Sequence, residues 1–167
     1  MTRLSPQATL AALNESVAAM AAPNQPTPLF QSLEKTLGTA IGHQLFTMAV
    51  YRGDGSAERV YSNQPDPYPV GGRKTMQHTP WGAHVIQGRK PYLGRTRADI
   101  RWAFYDHELI ESLDLGSAIN LLVQYDGALL GTINLLHEEN YYQEADLLTG
   151  APFAALLAPT YLRMQQA

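Results

Sequence analysis

Apolar residues recur every three to four positions near the start of this chain, which predicts amphipathic helices there. Two such stripes run through positions 10–20 and 30–41. Each follows a helix-start signal, Ser5-Pro6 and Thr27-Pro28 respectively. In both signals the hydroxyl can cap the helix and the proline occupies its first turn. The chain therefore begins with two helices.

A third helical stripe closes the chain at positions 147–164. We expect Gly150 and Pro152 to break this terminal helix. Pro159 should kink the part that follows, because proline lacks the backbone N–H that an inner turn needs.

Between the helices, apolar runs of strand length alternate with turn residues. Positions 44–51 and 57–62 predict one hairpin, and 117–125 and 128–137 predict a longer one. The longer pair flanks Asp126-Gly127, a strong signal for a two-residue turn. Helices at both ends and strands joined in hairpins predict an α+β domain, with an antiparallel sheet of about five to six strands flanked by helices.

The Asp126-Gly127 turn also predicts which side chains share a face of the sheet. Regular pairing from this turn sets Ile119 opposite Asn134. Asn120 then lies on the face opposite Asn134, so the two should not line one pocket. Both faces are largely apolar, and each buried amide needs a hydrogen-bond partner or a ligand.

The segment 63–113 is irregular and rich in aromatic residues. It opens with a long loop of three prolines at 63–72, and short helices are predicted at 80–89, 97–104 and 107–113. Long non-helical loops in compact domains are often functional.

Composition excludes several classes of function. The net charge of −3 gives no basic surface for nucleic acid. No apolar run approaches the roughly 18 residues of a membrane span, and the first residues do not form a secretory signal. The chain has no cysteine, which excludes thiol catalysis, disulfides and thiolate metal sites. We therefore expect a cytoplasmic protein.

The second half of the chain resembles a GAF domain, a small-molecule sensor fold related in architecture to PAS domains. The resemblance rests on 108–116, followed by SAINLLVQYDGALLGTINLLH at 117–137 and the residues from Tyr142 to Asp146. More loosely, it extends from about Phe30 to Leu162. It implies residues 1–25 as an N-terminal helix and linker, and 26–167 as the GAF domain.

The resemblance implies a sensor and not an enzyme. The cysteine that holds bilin in phytochrome-type members is missing, and so are the cysteines of the members that reduce methionine sulfoxide. No kinase, cyclase, phosphodiesterase or DNA-binding module accompanies the domain, so we expect a stand-alone GAF protein. No cofactor is identified.

In GAF domains the ligand cavity lies between the sheet and the irregular segment, which here spans 63–113. The candidate ligand-binding residues are Tyr61, Tyr68, Trp81, Trp102, Phe104, Asp106, Asn120, Thr132 and Asn134. Trp102 is the favoured pocket wall, because it lies in a polar and aromatic run. The alternative is that these aromatic side chains are core residues that cover the sheet.

Catalytic and metal sites have weaker support. Asp106 and His107 could form an acid–base pair, although adjacent helical side chains diverge by about 100° and Asp106 also fits a helix cap. The five histidines have no chelating spacing. The cluster Gly71-Gly72-Arg73-Lys74 could meet an anion, but it lacks the context of a phosphate-binding loop.

Three hypotheses follow. The first is a sensory domain that binds a small, largely apolar or aromatic molecule and signals through its terminal helices, as a homodimer. The second is a metal-independent enzyme on the same fold that uses Asp106 and His107. The third is a structural homodimer whose aromatic residues fill the core and leave no cavity.

Overall fold

The computed structural model describes residues 2–167, which form a six-stranded antiparallel sheet with helices on both faces. In chain order the elements are α1 (Pro6–Met20), α2 (Thr27–Ala40), β1 (Leu45–Tyr51), β2 (Ser56–Ser62), β3 (Arg73–Thr75), α3 (Pro80–Gly82) with a π-helical continuation (Ala83–Gln87), β4 (Tyr92–Gly94), α4 (Arg97–Ala103), α5 (His107–Ser112), β5 (Ser117–Tyr125), β6 (Ala128–His137), α6 (Glu144–Ala155) and α7 (Ala158–Gln166). None of the helices in this part of the chain is long and apolar enough to cross a bilayer.

The strand order across the sheet is β3-β2-β1-β6-β5-β4. The two predicted hairpins occupy its centre, and the three-residue strands β3 and β4 form its edges. The α+β class and the strand number predicted from the sequence are confirmed. The edge strand β3 was not predicted, since three residues are too few to show a periodic pattern.

The turn of the long hairpin is as predicted, but the pairing beyond it is not. Asp126 and Gly127 both have positive φ angles, 50° and 72°, as a two-residue hairpin turn requires. Leu130 is then an unpaired extra residue, because Gln124 pairs with Leu129 and Val123 with Gly131. This β-bulge shifts the register by one residue, so Asn120 pairs with Asn134. The prediction that the two asparagines lie on opposite faces is therefore wrong.

A second bulge occurs in β2. Arg59 pairs with Ala49 and Tyr61 pairs with Met48, which leaves Val60 without a partner on β1. Residues two apart in a regular strand share a face. The bulge instead turns Arg59 and Tyr61 to opposite faces of the sheet.

The main core lies on the face covered by α2, α6 and α7. Leu33, Phe153 and Tyr161 are fully buried there against the central strands. Helix α1 packs on α2 and α6, and its buried Ser16 hydroxyl lies 2.8 Å from that of Thr36. Two residues of its apolar stripe, Leu10 and Val17, stay exposed.

The terminal helix breaks later than the sequence predicts. Helix α6 continues through Gly150 and Pro152 to Ala155, and the break falls before α7. Pro159 lies in the first turn of α7, where its missing N–H needs no acceptor, so it does not kink that helix. Phe153 and Leu157 are fully buried, and this packing outweighs the single hydrogen bond that a proline removes from α6.

Candidate functional site

A cavity of about 100 Å³ lies between the second face of the sheet and the irregular middle segment. Its floor comes from β1, β5 and β6, its sides from β2 and β3, and its cover from the loop after β2 and the helices α3 and α5. The lining residues are Leu45, Thr47, Ala49, Tyr51, Ala57, Arg59, Tyr68, Gly72, Lys74, Met76, Trp81, Phe104, Asp106, Ile110, Asn120, Thr132, Asn134 and Leu136. Apolar walls with a few polar groups are typical of a small-molecule pocket.

A chain of hydrogen bonds crosses the floor of the cavity. The indole Nε1 of Trp81 donates to Oδ1 of Asn120 at 2.8 Å, and Nδ2 of Asn120 donates to Oδ1 of Asn134 at 2.8 Å. Asn134 in turn donates to the Thr47 hydroxyl at 3.1 Å. Each amide group has two N–H donors and uses one of them in this chain. The floor therefore retains polar groups that a ligand can engage.

Seven of the nine predicted site residues line this cavity: Tyr68, Trp81, Phe104, Asp106, Asn120, Thr132 and Asn134. The β6 bulge brings the two asparagines together, because it turns Asn120, Thr132 and Asn134 to the same face. That these residues bind a ligand stays a prediction.

The other two predicted residues lie elsewhere. The β2 bulge turns Tyr61 into the opposite core, where it packs against Phe30 and its hydroxyl donates to Glu34. Trp102 is 50% exposed on α4 and stacks on the outer side of Tyr92, with 5.8 Å between ring centroids. The choice of Trp102 as the favoured pocket wall is therefore wrong. A polar and aromatic neighbourhood in sequence does not tell which side of a short helix faces inward.

Charged groups gather at one end of the cavity. Lys74 on β3 donates to Oδ2 of Asp106 at 2.8 Å, and the Tyr68 hydroxyl donates to the same oxygen at 3.1 Å. Arg59 on β2 lies over the Tyr68 ring, with Cζ 4.9 Å from the centroid. Burial raises the pKa of the Tyr68 hydroxyl, and the Asp106 carboxylate adds to this rise. The hydroxyl therefore stays a donor.

The side chain of Asp106 does not cap α5. Asp106 holds the N-cap position, but its carboxylate makes no hydrogen bond to the helix N–H groups. The carboxylate instead contacts Lys74 and Tyr68 across the cavity end. Its charge is thus compensated by a lysine on a strand that the sequence did not reveal.

A second hollow of about 140 Å³ adjoins the cavity and shares Tyr51, Ala57, Lys74 and Met76 with it. The Tyr51 hydroxyl is buried and has no hydrogen-bond partner in the part of the chain described. Burial raises its pKa, so it remains protonated at neutral pH. It is a polar group that a bound molecule can satisfy.

The proposed acid–base pair is not assembled. Asp106 lines the cavity, whereas His107, the next residue, is not among the lining side chains. Within residues 2–167, no three His, Asp or Glu side chains form a group suited to a metal ion. The Gly71–Lys74 cluster is divided as well, because Lys74 faces the cavity while Arg73 pairs outward with Glu58.

Sequence reasoning missed Arg59, Lys74, Thr47 and Tyr51 as cavity residues. Thr47, Ala49 and Tyr51 occupy every second position of a strand that was predicted, so the sequence already indicated that they share one face of the sheet. Arg59 was hidden by the β2 bulge, and Lys74 by the shortness of β3.

Comparison with known proteins identifies the fold. No protein-family model matches the sequence, and no curated protein matches it. Among solved structures, the GAF domain of a phosphoenolpyruvate-protein phosphotransferase from Coxiella burnetii superposes with a TM-score of 0.78 at 18% identity, covering 96% of each chain. The corresponding Acinetobacter domain has a TM-score of 0.76 at 13% identity, covering 98% of each.

More distant sensory proteins share the architecture. The chromophore-binding domain of a bacteriophytochrome from R. palustris has a TM-score of 0.69 at 8% identity, over 96% of this chain and 61% of that one. Similarity at these identities establishes the fold and leaves the ligand open. Together with the sheet order and the covered cavity, these comparisons show that the chain has the fold of a GAF domain.

Proposed function

We propose that this protein is a sensory domain that binds a small molecule in the cavity between the sheet and the middle segment. The observation that carries the proposal is the cavity itself. It has apolar walls, a hydrogen-bonded floor built on Asn120 and Asn134, and a cover formed by the loop after β2 and the helices α3 and α5. The GAF fold shared with domains of signalling proteins supports it.

The size of the cavity favours a small ligand. Pockets for drug-sized molecules have volumes of about 300 Å³ or more. An apolar cavity of about 150 Å³ accepts benzene. At about 100 Å³, this cavity suits the body of a small metabolite, and the adjoining hollow of about 140 Å³ gives room for an extension past Tyr51.

The terminal helices are the proposed output. The Thr132 side chain lines the cavity, and its backbone carbonyl accepts a hydrogen bond from the buried Tyr161 hydroxyl of α7 at 3.1 Å. One residue of β6 thus contacts both the binding site and the last helix. If β6 has two alternative placements, a ligand that favours one of them would also move α7, because Thr132 contacts both the ligand site and that helix.

The same proposal includes a homodimer formed through the terminal helices. Leu10 and Val17 lie about two helical turns apart on α1, with 57% and 45% of their surface exposed, and Leu148 on α6 is 79% exposed. Apolar side chains on a helix gain free energy by burial against a second copy. Sedimentation velocity should show a dimer, and Leu10→Glu with Val17→Glu should give a monomer. A monomeric wild-type protein would remove the dimer from the proposal.

The binding proposal is tested by filling the cavity. Ala49→Leu adds three carbon atoms at the floor, whereas Ala145→Leu makes the same change on the exposed side of α6. A thermal-shift screen of small metabolites should find compounds that stabilise the wild type and the Ala145 variant. A ligand at a hundred times its Kd adds about 2.7 kcal/mol, or roughly 5–11 °C in a domain of this size.

The two leucine variants decide the outcome. Ala49→Leu should abolish every such shift while the free variant still unfolds cooperatively. Shifts that survive in Ala49→Leu would place the binding site elsewhere on the protein. The absence of any shift across the screen would contradict a sensory role for this cavity.

A further inference from the structure

The cavity end carries more positive than negative charge. Three charged side chains line the cavity: Arg59 and Lys74, which are cationic, and Asp106, which is anionic. Asp106 is engaged by Lys74 at 2.8 Å. Two cations and one carboxylate leave one net positive charge. Lys74 contacts Asp106 directly, and Arg59 feels that carboxylate only at longer range, as an effect that raises its pKa.

Arg59 differs from the other partly buried arginines of residues 2–167. Arg3, Arg52 and Arg97 each pair with a carboxylate, at distances of 2.8, 2.8 and 2.9 Å. Among residues 2–167, no carboxylate oxygen lies at ion-pair distance from Arg59. In the same part of the chain, its side chain makes one hydrogen bond, from Nη1 to the Pro69 carbonyl at 3.0 Å.

Burial of an unpaired guanidinium is unfavourable. Desolvation lowers the pKa of Arg59 from its ordinary value, although arginine remains charged at any physiological pH. The Nε and Nη2 donors of Arg59 make no hydrogen bond within the described chain. The planar guanidinium can therefore donate two parallel hydrogen bonds to a carboxylate. The cation-π contact with Tyr68 holds the guanidinium beside a second residue of the cavity lining.

We propose that the cavity binds a small monocarboxylate, with its carboxylate on Arg59 and its apolar body against Leu45, Met76 and Leu136. This inference rests on the proposed function, since it names the class of molecule that the same cavity binds. The lining supplies the apolar surface, and its volume limits that body to about four to six carbon atoms.

The number of charges sets the specificity. One carboxylate neutralises Arg59, whereas a second would lie near Asp106 and be repelled by it. Lys74 cannot serve the second carboxylate without leaving Asp106 uncompensated. An amine would meet Arg59 with like charge, and a neutral amide would leave the guanidinium unpaired.

The test is a titration of the ¹⁵N-labelled full chain with four compounds of similar shape at constant ionic strength. These are 3-methylbutanoate, 3-methylbutanamide, 3-methylbutylamine and the dicarboxylate glutarate. We expect the monocarboxylate to bind at least tenfold more tightly than the other three, because charge-assisted bidentate bonds are strong. The side-chain amide signals of Asn120 and Asn134 should shift with it, since both groups line the same cavity.

Variants of arginine identify the group responsible. Arg59→Gln should weaken binding of 3-methylbutanoate at least tenfold, and Arg59→Lys should weaken it less because it keeps the charge. Arg163→Gln, on the exposed face of α7, is the matched control and should bind as the wild type does. The dispersion of the spectrum shows that each variant is folded.

The possible results separate this inference from the proposed function. Equal affinity for the amide and the carboxylate, or unchanged binding in Arg59→Gln, would overturn the monocarboxylate assignment. If that binding is still abolished by Ala49→Leu, the cavity remains a small-molecule site. If none of the four compounds binds, the assignment is wrong, and the metabolite screen decides the proposed function on its own.

Discussion

The hydrogen bond from Trp81 to Asn120 gives the sharpest stability prediction. Trp81→Phe removes the indole donor and leaves Oδ1 of Asn120 unpaired, in a side chain that is 1% exposed. An unpaired buried acceptor costs about 1–3 kcal/mol. The smaller ring also loses apolar burial, at roughly 0.8 kcal/mol per buried CH₂ equivalent. We therefore expect the free energy of unfolding to fall by about 2–4 kcal/mol.

Urea denaturation followed by circular dichroism measures this change, and a double-mutant cycle isolates the bond. Trp81→Phe, Asn120→Ala and the double variant should give a coupling energy of about 1 kcal/mol. Trp102→Phe, on the half-exposed indole of α4, is the control and should change stability by less than about 0.5 kcal/mol. A coupling energy below about 0.3 kcal/mol would refute the reasoning, because it would mean that the bond adds no net stability.

Three further predictions concern the scaffold. Gly131→Ala should unfold the protein or lower its Tm by more than 10 °C in a thermal melt, because the added Cβ would lie 2.1 Å from the Ala49 carbonyl oxygen. Leu33→Ala, in the core, should lower the free energy of unfolding by about 2–5 kcal/mol, and Leu148→Ala, on the surface, should lower it by less than about 0.5 kcal/mol. Equal effects of the two variants in urea melts would contradict the packing described. Burial lowers the pKa of His43, so the unfolded chain takes up a proton at a higher pH than the folded chain does, and stability should fall as the pH drops below about 6.5. His43→Gln should reduce this loss of stability between pH 7 and 5. An identical pH profile in the variant would contradict the reasoning.

The architecture could be predicted from the sequence because its signals are local. The Asp126-Gly127 turn sets the centre of the sheet, and proline at helix starts marks α1 and α2. Such signals depend on backbone preferences within a few residues, and tertiary packing does not override them here. The end of α6 could not be predicted, because the burial of Phe153 and Leu157 against distant strands outweighs Pro152.

The site was only partly predictable, and the reason is register. Trp81, Asn120 and Asn134 attract attention as aromatic or amide residues in apolar surroundings, and all three line the cavity. Their relation to one another depends on which residue of each strand is unpaired, and no local composition marks that residue. The sequence pattern predicts that polar side chains lie within the sheet, but it does not predict that they lie on the same face.

The two bulges also determine where this chain can change in length. In a regular strand, losing one residue reverses the facing of all that follow it. Val60 and Leu130 have no partners across the bulged pairs, so their removal would restore regular ladders and leave Arg59 and Asn134 facing the cavity. Each bulged strand thus contains one residue that the ladder itself does not require, although both side chains pack in or against the main core. A chain one residue shorter at either point would keep the same side chains facing the cavity, and a gap would be needed at that point to align the two sequences.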